Sequence, residues 1–184
     1  MTADKKYEEM ALVLDFMTRG KSAAIKGREG PVLHAIGEER LTLLELLAME
    51  GQEFAVGERV KIGKEGREKI LSVLGKLTFD ELSPEAKATL PTVVEKLVRE
   101  NERKYVSYFN ELQPLTPRLH GLELIPGIGK TFMNEIVAAR EKNPFSSYED
   151  IQVRVGLRDP VKMIAKRIVE ELSGDTRLSI FVKK

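Results

Sequence analysis

Ile125-Pro126-Gly127-Ile128-Gly129-Lys130-Thr131 is the stretch of this chain whose residue types and spacing are best suited to chemistry. Two glycines flank one isoleucine. The backbone can therefore take bends and close approaches that side chains forbid, while Ile128 turns inward and pins the bend. The N–H groups of Gly129, Lys130 and Thr131 then stand at the start of the following helix. A first helical turn has no acceptors of its own for them, and its dipole favours an anion. A phosphate oxygen docked there is held without any base being read. Lys130 adds a cation and Thr131 a hydroxyl donor, so Gly127, Ile128, Gly129, Lys130 and Thr131 form the first candidate site.

Composition removes most other chemistries. Among 184 residues there is no cysteine and no tryptophan, and the two histidines are His34 and His120. That excludes disulfides, cysteine nucleophiles and cysteine-held zinc or iron–sulfur centres, and leaves little for a Ser–His–Asp triad. No metal, cofactor or catalytic constellation is expected. With 42% hydrophobic and 32% charged residues, the chain has the composition of a folded domain. No apolar run reaches the ~18 residues of a membrane span and the N-terminus is polar, so a soluble, cytoplasmic protein without a membrane partner is expected. Net charge is +1, divided as +3 over residues 118–184 and −2 over residues 1–117. Any polyanion partner must therefore be held by local geometry more than by bulk charge.

The elements that would position the site fall into an α+β order. Apolar runs at 11–16, 31–36, 41–47, 60–62 and 70–77, separated by glycine-rich turns, predict short strands and a small barrel, although the leucines of 41–47 also fit a helix. Ser83-Pro84-Glu85 starts a helix, and Pro91 begins a longer one with Val94, Leu97, Val98, Tyr105, Tyr108 and Phe109 on one face, ended by Pro114 and Pro117. Leu119–Leu124 reads as a short helical turn and 131–142 as a helix stopped by Asn143-Pro144. Ser146 and Ser147 cap a third helix to about Val155, and Asp159-Pro160 opens a fourth closed by Ser173-Gly174. The tail around Arg177–Val182 alternates like a strand expected to return to the barrel. Domains are thus expected at 1–82 (barrel), 83–117 (helical linker) and 118–174, with a C-terminal strand at 175–184.

The segment Val56-Gly57-Glu58-Arg59-Val60-Lys61-Ile62-Gly63 resembles the strand entry of oligonucleotide-binding (OB or S1-like) barrels. In such barrels the loop after the first strand and the central strands carry single strands. This makes Arg19, Lys21, Lys26, Arg28, Arg59 and Lys61 candidate phosphate contacts; solvated loops explain the same charges. Aromatic platforms are poor there, with only Phe16 and Phe54, and His34 reads as a satisfied core histidine.

The order from Leu122 to Leu172, with Ile125-Pro126-Gly127-Ile128-Gly129 and the link Asn143-Pro144-Phe145-Ser146-Ser147-Tyr148-Glu149-Asp150, resembles a tandem helix-hairpin-helix domain. It is particularly similar to the DNA-receptor domain of bacterial competence proteins. The resemblance implies two hairpins gripping both strands across a minor groove. The second turn, Val155-Gly156-Leu157-Arg158-Asp159-Pro160, departs from the pattern: Pro160 lacks an N–H and Asp159 is negative, which leaves Arg158 or Lys162 as substitute contacts. The domain order also resembles an uncharacterised archaeal family described as nucleic-acid-binding.

Two enzyme readings fail on single positions. Gly129-Lys130-Thr131 imitates the end of a P-loop, but Leu124 stands where that loop needs glycine. Glycosylases related to the hairpin family carry a lysine where this chain has Thr131. The sequence therefore points to a non-enzymatic, largely sequence-independent binder of DNA or RNA. The alternative is a protein-docking adaptor in nucleic-acid metabolism, built on the same domain.

Overall fold

The computed structural model describes residues 7–174 and 176–183. The chain divides into two compact units, one of residues 1–93 with 171–184, the other of residues 94–170. The fold is mixed α+β: a curled, half-barrel sheet of five antiparallel strands and five α-helices.

The first unit is built on β1 (Met10–Lys21), β2 (Glu29–Gly37), β3 (Leu43–Ala48), β4 (Arg59–Lys61) and β5 (Ile70–Lys76), in the order β4-β1-β2-β3-β5. The leucines of 41–47 resolve as strand, paired with β2 and β5. A two-residue period fits them because both faces are buried: all six residues of β3 are out of solvent. Register shifts near Val13/Asp15 and Met17/Gly20 bend β1 and raise the local twist that curls the sheet. One face carries the apolar cluster of Ala11, Val13, Leu33, Ala35, Leu44, Leu46, Val60 and Ile70, with Phe16 and Phe54 against it.

Helix α1 spans Pro84–Glu100 and contains Pro91, so the longer helix expected to begin at Pro91 is the continuation of the one begun at Pro84. The break falls instead at Asn101, whose side-chain amide donates to the Leu97 carbonyl at 2.8 Å and competes with the backbone ladder. Helix α2 follows (Glu102–Glu111). Tyr105 and Phe109 are fully buried, so neither is a base-stacking surface.

Two other expectations are corrected. Leu119–Leu124 is not a simple helical turn. A two-stranded hairpin, β6 (Pro114–Thr116) with β7 (Leu119–His120), precedes a 3-10 turn over Gly121–Leu124. That turn is fixed because the Leu122 N–H donates to His120 Nδ1 while Glu123 accepts the His120 N–H. The tail returns to the first unit, the Lys183 N–H reaching the Arg40 carbonyl at 3.4 Å, but not as a strand: the described residues 176–183 run without ladder pairing. Buried Glu171 takes the N–H groups of Ile180, Phe181 and Val182 at 2.9, 3.0 and 2.9 Å. Three successive amides converging on one carboxylate require a curled backbone, because in a strand they point alternately to opposite sides.

The second unit closes with α3 (Lys130–Lys142), α4 (Tyr148–Val155) and α5 (Pro160–Ser173), the last three residues of α5 falling in the first unit. Its core includes Leu122, Ile125, Ile128, Ile136, Phe145, Ile151, Leu157, Ile164 and Ile168. The 143–147 link is tied at both ends. Phe145 and Asn110 exchange two hydrogen bonds at 2.7 and 3.0 Å, and Arg154 reaches back to the Ala139 and Asn143 carbonyls at 2.8 and 2.7 Å.

Candidate functional site

Two glycine-cornered turns lie in the second unit. In the first, Gly127 has φ +93°, a left-handed conformation costly for other residues, and a Cβ there would meet Met163 Cε at 2.7 Å. The Ile128 N–H donates to the Ile125 carbonyl at 3.0 Å and its side chain is buried, so the turn closes on itself and is anchored inward. Gly129 is the N-cap of α3, in extended conformation, with open space on every side of a would-be Cβ. Gly129, Lys130 and Thr131 are exposed. Among the described residues, no acceptor takes the N–H of any of the three. A 13-residue helix therefore starts with its donors facing water.

The cation foreseen beside these amides is engaged. Lys130 Nζ lies 2.9 Å from Glu123 Oε1 and 3.1 Å from the Arg118 carbonyl, on a side chain that remains 66% exposed. The His120 N–H, then the Lys130 ammonium, hold the Glu123 carboxyl below the usual carboxylate range. Lys130 thus ties the β6–β7 hairpin to the start of α3. Glu123, the fifth residue of the predicted helical turn Leu119–Leu124, carried no sequence signal for this partnership.

In the second turn, Gly156 also has a left-handed φ, +84°, and Leu157 is buried as Ile128 is. The following helix start is closed. Asp159 Oδ1 accepts the Lys162 N–H at 3.1 Å, the Asp159 carbonyl accepts from Met163, and Pro160 has no N–H. The side chains of Arg158 and Lys162 are exposed and, among the described residues, have no acidic partner. Ser147 accepts from the Asp150 N–H at 2.9 Å and so caps α4 as its sequence suggests.

In the first unit, Arg19, Lys21, Lys26 and Arg28 are exposed at the end of β1 and in the loop to β2, without an acidic partner among the described residues. Lys61 is exposed on β4, whereas Arg59 makes a two-pronged contact with Glu38, its Nε 3.1 Å and Nη2 2.7 Å from the carboxylate. Arg59 is therefore a structural ion pair rather than an available cation. His34 is a satisfied core histidine: Nε2 faces Glu45 Oε2 at 3.1 Å and Nδ1 accepts the Ser83 N–H at 3.1 Å. Burial raises the Glu45 carboxyl's pKa, but hydrogen bonds from Ser22, Ala23, Ala24 and His34 outweigh it and hold the group below its ordinary value.

Residues 7–183 match the family model described as protein of unknown function (DUF655), and the chain belongs to that family. It is 39% identical over 181 residues to "Uncharacterized protein MJ0038" of Methanocaldococcus jannaschii, covering 97% of this chain and 82% of that protein. Its fold is similar to the crystal structure of Af1531 from Archaeoglobus fulgidus, a DUF655 protein, with TM-score 0.84 and 38% identity over 96% of this chain and 100% of that one. Among the described residues, no helix is long and apolar enough to cross a membrane.

Proposed function

We propose that the protein is a non-enzymatic, largely sequence-independent nucleic-acid-binding protein, with its second unit working as a helix-hairpin-helix domain of the competence DNA-receptor type. One observation carries this reading: the exposed amides of Gly129, Lys130 and Thr131 at the start of α3, which have no acceptor among the described residues. A phosphate oxygen supplies the missing acceptor and meets the positive end of the helix dipole. Arg158 and Lys162 supply exposed cations in the same unit, without an acidic partner among the described residues. In the first unit, the curled sheet is read as an OB-like barrel, whose Arg19, Lys21, Lys26, Arg28 and Lys61 extend the contact along the backbone of DNA or RNA. The partner is the phosphate chain, no cofactor is needed, and a cytoplasmic location fits.

Fluorescence anisotropy with duplex DNA, single-stranded DNA and RNA, each titrated with salt, tests the reading. Binding should weaken steeply as salt rises, because neutralised phosphates release counterions. Gly129→Glu should fold, since the position has open space, and should bind far more weakly. Unchanged affinity in that variant, or no binding of any probe at low salt, overturns the proposal. The second outcome favours the adaptor reading, which has in its support Val153, 77% exposed on α4.

A further inference from the structure

The loop between β1 and β2 is more firmly built than a solvated connection requires. Ser22 Oγ and the N–H groups of Ala23 and Ala24 all donate to the Glu45 carboxylate, the two amides at 2.8 and 3.1 Å. The Ile25 N–H donates to Ser22 Oγ at 2.8 Å, the Ser22 N–H to the Arg28 carbonyl at 2.8 Å, and the Arg28 N–H to the Ile25 carbonyl at 3.2 Å. Gly75 on β5 pairs with Glu45, and its missing Cβ lets Ala24 approach, at 3.1 Å from where that Cβ would sit.

Glu45 is itself fully buried and held from behind. Asp15, His34 and Glu45 lie opposite one another across β1, β2 and β3. The Ser83 N–H occupies His34 Nδ1, which puts the ring proton on Nε2 and makes His34 a donor to Glu45; the Ser83 hydroxyl donates to Asp15 Oδ2 at 2.6 Å. A buried carboxylate is costly unless its oxygens are fully bonded, and here four donors do so.

What this anchor holds in place is a strand end and loop carrying Arg19, Lys21, Lys26 and Arg28 against one acid, Glu29. The four cations are exposed, and among the described residues they have no acidic partner. Like charges on a loose hairpin would spread apart; pinned to Glu45 they keep fixed spacings. No aromatic residue lies between Met17 and Pro31, so this surface offers charge and not a stacking platform.

We infer that Glu45 is a positioning residue that holds the β1–β2 hairpin as a rigid prong for the phosphodiester backbone of a nucleic acid. The inference rests on the nucleic-acid reading above. It adds that affinity depends on this buried anchor as well as on the cations, since fixing the prong beforehand removes an ordering cost from binding.

Glu45 is too buried to replace without endangering the fold, so the test uses Ser22, with short fluorescein-labelled single-stranded and duplex DNA as probes. Ser22→Ala leaves every charge in place. It should weaken binding about fivefold with an unchanged salt slope, and Ser22→Thr, which keeps the hydroxyl, should restore it. Lys26→Gln and Arg28→Gln should each flatten the salt slope by about one unit. Hydrogen exchange should show the Ala23 and Ala24 amides protected in the wild type and fast in Ser22→Ala, with the unfolding midpoint little changed. Wild-type affinity in Ser22→Ala, failure of Ser22→Thr to rescue, or binding lost only in step with global unfolding overturns the anchoring role. Silent Lys26→Gln and Arg28→Gln variants in a wild type that binds overturn the prong alone. A wild type that binds neither probe nor RNA sinks the underlying reading instead.

Discussion

The two turns of the second unit share a backbone and differ in what their side chains leave open. Each bends at a left-handed glycine, Gly127 or Gly156, and buries the apolar residue that follows, Ile128 or Leu157. A helix starts shortly after each. At α3 the N-cap is Gly129, which brings no side-chain acceptor; at α5 the Asp159 carboxylate occupies the Lys162 N–H and Pro160 has no donor to offer. Fold and site are therefore separable here. Glycine and the buried apolar residue make the turn, whereas the N-cap side chain decides whether the positive end of the helix faces water or its own carboxylate.

The largest expected effect tests whether the turns are equivalent as structure. Gly127→Ala meets both a positive φ and the flexible end of Met163 at 2.7 Å, and should cost about 1–2 kcal/mol; Gly156→Ala, also at positive φ but with nothing within 4 Å, should cost about 1 kcal/mol. Urea denaturation measures both. Equal losses would mean that Met163 moves aside freely and that the first turn is no more constrained than the second.

Next, Gly129→Asp converts the first turn into a copy of the second. Its extended backbone and open surroundings accept an N-cap carboxylate, so stability should hold or rise by a few tenths of a kcal/mol while nucleic-acid affinity falls about tenfold. Full affinity in the stable variant would remove the open amides from the proposed function. The reverse change, Asp159→Ala, frees the Lys162 N–H and removes a negative charge. It should lower stability by about 1 kcal/mol and raise affinity about threefold, less than the first turn loses because Pro160 still lacks its N–H.

The smallest effect distinguishes the turns by pH. His120, in the approach to the first turn, accepts the Leu122 N–H through Nδ1. Burial and then the Arg140 charge hold its pKa below the ordinary 6.5, against the pull of Glu123. On acidification the unfolded chain takes up the proton first, so this contribution to stability is present above pH 6.5 and is lost as the pH falls through the folded-state value. His120→Gln should flatten the stability profile just below pH 6.5, where the wild type begins to lose this contribution. A profile that is unchanged in the variant would assign the slope elsewhere.

Four of the five strands, the α4 and α5 caps and the glycine bend at 127 were legible because each rests on a local rule: periodicity, a capping side chain, a positive φ. The elements left open or misjudged all involve a partner distant in sequence or a competing hydrogen bond. The leucines of β3 fit helix and strand alike until neighbouring strands buried both faces. Pro91 read as a second helix start because a proline is expected to interrupt the helix opened at Pro84, and the tail read as a strand because Glu171 is invisible to its alternation. Among the candidate site residues, charge type was readable but availability was not: Arg59 and Lys130 look like any exposed cation until Glu38 and Glu123 are found beside them.

The sequence alone determined which backbone positions can bend and which groups carry charge, since these are properties of single residues and near neighbours. Only the tertiary structure decided which of those groups remain unsatisfied. Hydrogen bonds and ion pairs are made across the fold, so a donor counts as open only once every acceptor within reach has been assigned.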